Sequence, residues 1–107
     1  MKYGNRKTQI GNEMFDSAAE ARRWTALQLL QKAGRIRGLE RQVKYELAPA
    51  VVLGGRKKPA LRYVADFAYW QADDRIVEDV KGVITPLFRV KQHLMKSVHG
   101  IEVKVYP

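Results

Sequence analysis

The sequence predicts an α/β domain, and three observations carry that prediction. Two segments read as helices, residues 17–32 and 85–99, because each opens on a serine or threonine cap and runs into a glycine stop. Between them lie three extended segments rich in β-branched and aromatic residues, and a fourth closes the chain. The order is therefore α-β-β-β-α-β. At 107 residues, 46% hydrophobic and 29% charged, the composition is that of one globular domain with one core. Neither repeats nor linker-like tracts divide residues 1–107, and residues 1–16 read as a basic N-terminal segment.

Ser17-Ala18-Ala19-Glu20 reads as a capping box, so a helix starts there; it runs to about Lys32 and stops at Gly34. Its apolar stripe is Trp24, Leu27 and Leu30, and Glu20 lies within about a quarter-turn of the stripe, so the helix points a carboxylate toward the core side. Residues 42–47 and 51–53 read as one extended region interrupted at Pro49. Gly54-Gly55 closes it in a turn with the basic tip Arg56-Lys57-Lys58, and a return strand spans residues 61–70. The polar turn Gln71-Ala72-Asp73-Asp74 leads to a strand over residues 75–81, stopped by Gly82. Thr85-Pro86 supplies an N-cap and a proline at the first helical position, and Gly100 ends that helix. Its apolar arc is Leu87, Phe88, Val90, Leu94, Met95 and Val98. Residues 101–106 alternate apolar with charged and predict a short, half-exposed strand.

A net charge of +9 from 20 basic and 11 acidic residues points to a polyanionic partner. The charge is unevenly placed. Residues 17–62 carry +8, from Arg22, Arg23, Lys32, Arg35, Arg37, Arg41, Lys44, Arg56, Lys57, Lys58 and Arg62 against Glu20, Glu40 and Glu46. Residues 1–16 carry +1 and residues 85–107 carry +3. Residues 63–84 reverse to −3, with Asp66, Asp73, Asp74, Glu78 and Asp79 against Arg75 and Lys81. Carboxylates repel nucleic acid, so a protein that only grips phosphates has no use for that island. A metal-dependent nuclease does need one.

The absence of cysteine excludes disulfides, thiolate zinc sites and a cysteine nucleophile, and two histidines, His93 and His99, are too few for a histidine metal site. Any metal must be held by carboxylates. No run approaches a membrane span and residues 1–11 show no apolar signal core, so the expected location is inside the cell, with no membrane partner.

Asp66 sits in Tyr63-Val64-Ala65-Asp66-Phe67-Ala68-Tyr69, where an uncompensated carboxylate would cost several kcal/mol. A turn centred on Ala72-Asp73 sets Asp66 opposite Asp79; one centred on Asp73-Asp74 sets it opposite Lys81. Residues 79 and 81 share a face, so either register gathers Asp66, Asp79 and Lys81. Two carboxylates and a backbone carbonyl form a hard-oxygen site suited to Mg²⁺, which keeps several waters and accepts phosphate oxygens.

Asp66, twelve intervening residues, then Asp79-Val80-Lys81 on the next strand resembles the PD-(D/E)XK nuclease signature. Glu20 on a preceding helix resembles the additional acidic residue of many members, notably the Holliday-junction-resolvase-like branch. The phrases Ser-Ala-Ala-Glu-Ala-Arg-Arg and Val-Glu-Asp-Val-Lys-Gly resemble small phage and prophage proteins placed in that superfamily, which implies a gene expressed in the cytoplasm of a bacterial host. Ala65, where the signature has proline, is a departure. The resemblance implies a restriction-endonuclease-like core, with a mixed central sheet flanked by two helices. It also implies a Mg²⁺-dependent endodeoxyribonuclease, with Mn²⁺ as substitute, acting on duplex, branched or recombination DNA. By it, Asp66, Asp79 and the Val80 carbonyl hold the ion, Glu20 binds it directly or through water, and Lys81 orients the attacking water. Products with 5′-phosphate and 3′-hydroxyl ends follow from the same resemblance.

Arg22, Arg23, Arg56, Lys57 and Lys58 are candidate phosphate contacts in so basic a chain. Lys91 falls inside the apolar arc of its helix, either as a reach toward phosphate or as a stem that snorkels out of the packing. Trp24, Tyr63, Phe67 and Phe88 read as core, Glu78 as a packing-edge or solvent residue, and the histidines as surface. Two symmetrical cuts in a four-way junction need two sites, hence a C2 homodimer. The rival reading is a non-catalytic nucleic-acid-binding phage protein, which explains the charge but leaves the acidic cluster without a purpose.

Overall fold

The computed structural model describes residues 7–107; residues 1–6 of the N-terminal segment, with Lys2 and Arg6, lie outside the described residues. The element order is β1 (Thr8–Ile10), β2 (Glu13–Phe15), α1 (Ala18–Lys32), β3 (Arg37–Ala48), β4 (Val51–Leu53), β5 (Arg56–Lys58), β6 (Leu61–Gln71), β7 (Asp74–Val80), α2 (Pro86–His99) and β8 (Lys104–Tyr106). The central sheet has the order β3-β6-β7-β8, antiparallel at its first two pairings and parallel between β7 and β8. This is a mixed α/β fold with a mixed sheet and two helices, as the sequence predicts.

Both helices start where local chemistry tells them to. The Ser17 hydroxyl accepts the Glu20 amide at 3.1 Å, and the Thr85 hydroxyl accepts the Phe88 amide at 3.1 Å. Leu27 of α1 packs with Ile36, Phe67 and Tyr69, joined by Trp24, whose ring stacks 5.8 Å from that of Phe67. Phe88 and Met95 of α2 pack with Leu47, Tyr63, Ala65, Ala68, Val77 and Val103. Each buried Leu, Phe or Met contributes about 1.5–3 kcal/mol relative to exposure, so the two clusters hold one helix to each side of the sheet.

These clusters expose a change of face within the central hairpin. Residues two apart on a strand should share a face. Phe67 and Tyr69 nevertheless belong to the α1 side while Tyr63 and Ala65 belong to the α2 side; on β3, Leu39 and Val43 divide in the same way. The pairing register is constant across the switch, from Arg41↔Phe67 to Val43↔Ala65. The intervening rung is Gln42 and Asp66, and Gln42 takes a left-handed φ of +52° that few non-glycine residues adopt. That backbone twist turns the strand pair over at Asp66.

Four features differ from the sequence prediction. Residues 8–15, part of the basic N-terminal segment to which the sequence assigns no element, form the β1–β2 hairpin, which Arg41 anchors by donating to the Met14 carbonyl at 2.9 Å and by lying 3.9 Å over the Phe15 ring. β3 starts at Arg37, because Gly38 at φ +66° lets the chain pass so close to Trp70 that an added Cβ would meet its ring at 3.3 Å. Arg56-Lys57-Lys58 is a strand rather than a turn tip: it pairs with Val51–Leu53 around Gly54-Gly55, both left-handed, as a two-residue primed turn requires. β8 is also shorter than residues 101–106.

Candidate metal and nucleic-acid site

β6 and β7 meet in a turn at Ala72-Asp73 and pair as far as Phe67↔Glu78. Beyond that rung, carboxylates replace the backbone ladder. The Asp66 amide donates to Asp79 Oδ1 at 2.9 Å, and the Val80 amide donates to Asp66 Oδ2 at 2.9 Å. Each aspartate thus satisfies an amide of the other strand, which accounts for two acids in a buried hairpin. The Tyr63 hydroxyl donates to Asp79 Oδ2 at 2.7 Å, and Lys81 Nζ stands 3.6 Å from the same oxygen. Lys81 is fixed at both ends, its amide donating to the Tyr106 carbonyl at 2.8 Å and its ammonium lying 4.8 Å over the Phe88 ring.

Burial first, and the Asp79 charge second, push the Asp66 carboxyl up to about 7, against the bond from the Val80 amide. Burial is also the main reason the Tyr63 hydroxyl is raised, with Asp79 next. Glu20, 4% exposed, is raised by burial and then by Asp16, opposed by Arg41. Its Oε1 accepts from Gln42 Nε2 at 3.3 Å and lies 3.7 Å from Arg41 Nη2.

Glu20, Asp66, Val80 and Lys81 line one cleft of about 390 Å³, with Asp16, Ser17 and Thr85 on its rim. Two helix N-termini therefore face it, and both favour anions. Asp79, 1% exposed, stands behind Asp66 rather than in the wall. Among the described residues no three acidic or histidine side chains converge as a metal cage. A Mg²⁺ ion, which takes one or two carboxylates and keeps its waters, would ask for no more than Asp66 and Asp79. The donor set fits: Asp66 is a half-buried carboxylate against the buried Asp79, and the oxygens of both are hard ligands.

A second cleft of about 270 Å³ shares Lys81 and Thr85 with the first and is lined by Arg62, Tyr63 and Lys91. Lys91 therefore stands in a basic wall beside Lys81. Acidic and basic clefts meet at Lys81, an arrangement matched to a cation on one side and a phosphate on the other.

Of the other sequence candidates, Arg22 is exposed on α1, and Arg56, Lys57 and Lys58 are exposed on β5. Arg23 is not available for phosphate. Its Nε and Nη2 grip Glu78 at 2.8 and 2.7 Å, and its guanidinium lies 3.9 Å over the Tyr106 ring. Glu78, expected at an edge or in solvent, is 0% exposed and also accepts from the Tyr69 hydroxyl. The α1-facing side of β7 needs a compensated charge there, and Arg23 supplies it. His99 bonds the Glu46 carbonyl at 2.7 Å, and His93 is exposed.

Sequence reasoning missed Tyr63, Gln42, Arg41 and Arg62 at this site. Tyr63 carried a signal, because a buried tyrosine hydroxyl needs a partner and the nearby buried acids are Asp66 and Asp79. Gln42 carried none, since nothing in its neighbours announces a left-handed residue.

Fold and site together define a mixed α/β domain with paired aspartates and a lysine where two strands part. The chain belongs to the family described as "Protein of unknown function (DUF1064)", whose model matches residues 1–105. No curated protein and no solved structure matched the chain. The described residues contain no helix long and apolar enough to cross a membrane.

Proposed function

We propose that this chain is a divalent-metal-dependent endodeoxyribonuclease of the PD-(D/E)XK kind. The observation that carries the proposal is the strand split at which Asp66, Asp79 and Lys81 meet beside two helix N-termini. Asp66 and Asp79 would hold Mg²⁺ or Mn²⁺ with the Val80 carbonyl, and Glu20 would bind through water. A cation bound there supplies Lewis-acid polarisation of the phosphodiester and a more acidic water. Lys81 orients the attacking water and stabilises the charge that develops on phosphorus. Lys91 and Arg62 hold the flanking phosphate. Water adds to phosphorus, the bond to the 3′ oxygen breaks, and that oxygen leaves as a hydroxyl, so the new ends are 5′-phosphate and 3′-hydroxyl. Branched or recombination DNA is the proposed substrate, a homodimer the proposed form, and the cytoplasm of a phage-bearing bacterium the proposed setting.

The rival, a non-catalytic nucleic-acid binder, is favoured by one observation: both Asp79 oxygens already accept hydrogen bonds. A panel of single-stranded, duplex and four-way DNA, with matching RNA, decides between them. Wild type incubated with Mg²⁺ or Mn²⁺ cleaves at least one DNA substrate, and Lys81→Ala binds it without cleaving. Binding without metal-dependent cleavage across the whole panel establishes the rival.

A further inference from the structure

We infer that the β4–β5 hairpin is a groove-inserting arm that lies in the major groove of duplex DNA within one helical turn of the Asp66 site. The inference rests on the nucleic-acid part of the proposed function and not on catalysis.

The arm continues the β3–β6 hairpin beyond the register shift at Glu46–Ala48, in register with its last rung. Ala48 pairs with Leu61 and, three residues on along each strand, Val51 pairs with Lys58. The two rungs between contain Pro49 and Pro59, which have no N–H to give the ladder, so pairing lapses and resumes as an articulated ribbon. Every residue of 51–58 is exposed, including Val52 at 68% and Leu53 at 61%. A two-stranded ribbon that buries no face gains little stability by itself, so its composition is explained by what it touches. Val52 and Lys57 share one face; Val51, Leu53, Arg56 and Lys58 share the other. Each face pairs aliphatic with cationic side chains. That chemistry matches a groove, with phosphates along the walls and thymine methyls on the floor.

Dimensions agree. A two-stranded ribbon fits the major groove, about 12 Å wide. From Asp66 to Arg56 the chain runs ten residues, a reach of at most about 33 Å at about 3.3 Å each, within one turn of B-DNA. The radius of gyration, 15.5 Å, exceeds the roughly 13 Å of a compact chain this long, as expected where hairpins stand outside the central sheet.

The test is duplex binding in EDTA, so it reads the arm even if no nuclease activity exists. Arg56→Ala/Lys57→Ala/Lys58→Ala lowers affinity at least tenfold and reduces the slope of log K against log salt by about 2–3. Val52→Ser/Leu53→Ser weakens binding about threefold or more with the slope unchanged, and its footprint loses protection within one turn of the site. Thermal melting of both variants matches wild type, because the arm lies outside the core. A-form RNA duplex, whose major groove is too narrow, shows no loss with the serine variant. An unchanged slope with the alanine variant, unchanged DNA affinity with the serine variant, or equal losses on RNA would each overturn the inference.

Discussion

At Asp66 a half-buried carboxylate lies against the buried Asp79, and its pKa rises from 3.8 to about 7. A carboxyl whose pKa is raised by folding stabilises the protein below its unfolded pKa and loses that contribution as pH climbs through the folded one. Urea titrations of metal-free protein should therefore show Asp66→Asn equal to wild type near pH 4 and more stable by about 1–3 kcal/mol at pH 8. Asp79→Ala behaves oppositely, because it strands the Tyr63 hydroxyl and the Asp66 amide; a loss of about 1–3 kcal/mol at neutral pH is expected in the same titrations. The juxtaposition of Asp66, Asp79 and Lys81 was legible because hairpin register is set by a short polar turn. The side-chain-for-ladder exchange was not legible, because it depends on where the strands diverge.

The elements divide the basic residues into structural and available ones. Arg23 and Glu78 form a bidentate pair against Tyr69 and Tyr106, and breaking it leaves a buried charge. Arg23→Ala, which strands the fully buried Glu78 carboxylate, should cost about 3–5 kcal/mol in thermal or urea unfolding. Arg22→Ala, one position away and exposed, should leave stability within about 0.5 kcal/mol and weaken DNA binding. Helix starts at Ser17 and Thr85 were legible since capping is local chemistry. The inward turn of Arg23 was not, because helical spacing alone places neither its guanidinium nor its partner across the sheet. Nor was the β1–β2 hairpin, whose anchor Arg41 comes from a strand 26 residues further on than Phe15.

At the scale of the molecule, α2 leaves Leu87, Val90 and Val98 exposed along one side after Phe88 and Met95 are buried. That row is where the proposed homodimer would pack. Sedimentation should give a dimer, and Val90→Asp should shift it to monomer; a strict monomer on and off DNA removes the four-way-junction substrate while a nicking activity survives. The charge map acquires a geometry as well. The −3 segment covers most of the β6–β7 hairpin with its buried acids, and Arg62 and Lys91 of the basic frame line the cleft beside it. The claim on which the rest depends is that Asp66 and Asp79 seat a divalent cation and are not merely a structural pair. Calorimetric titration of Mn²⁺ into metal-free protein measures this directly. Saturable binding of one ion per chain to wild type, with binding lost in a stably folded Asp66→Asn, is the predicted result. No saturable binding to wild type, or the same binding in Asp66→Asn, would contradict it.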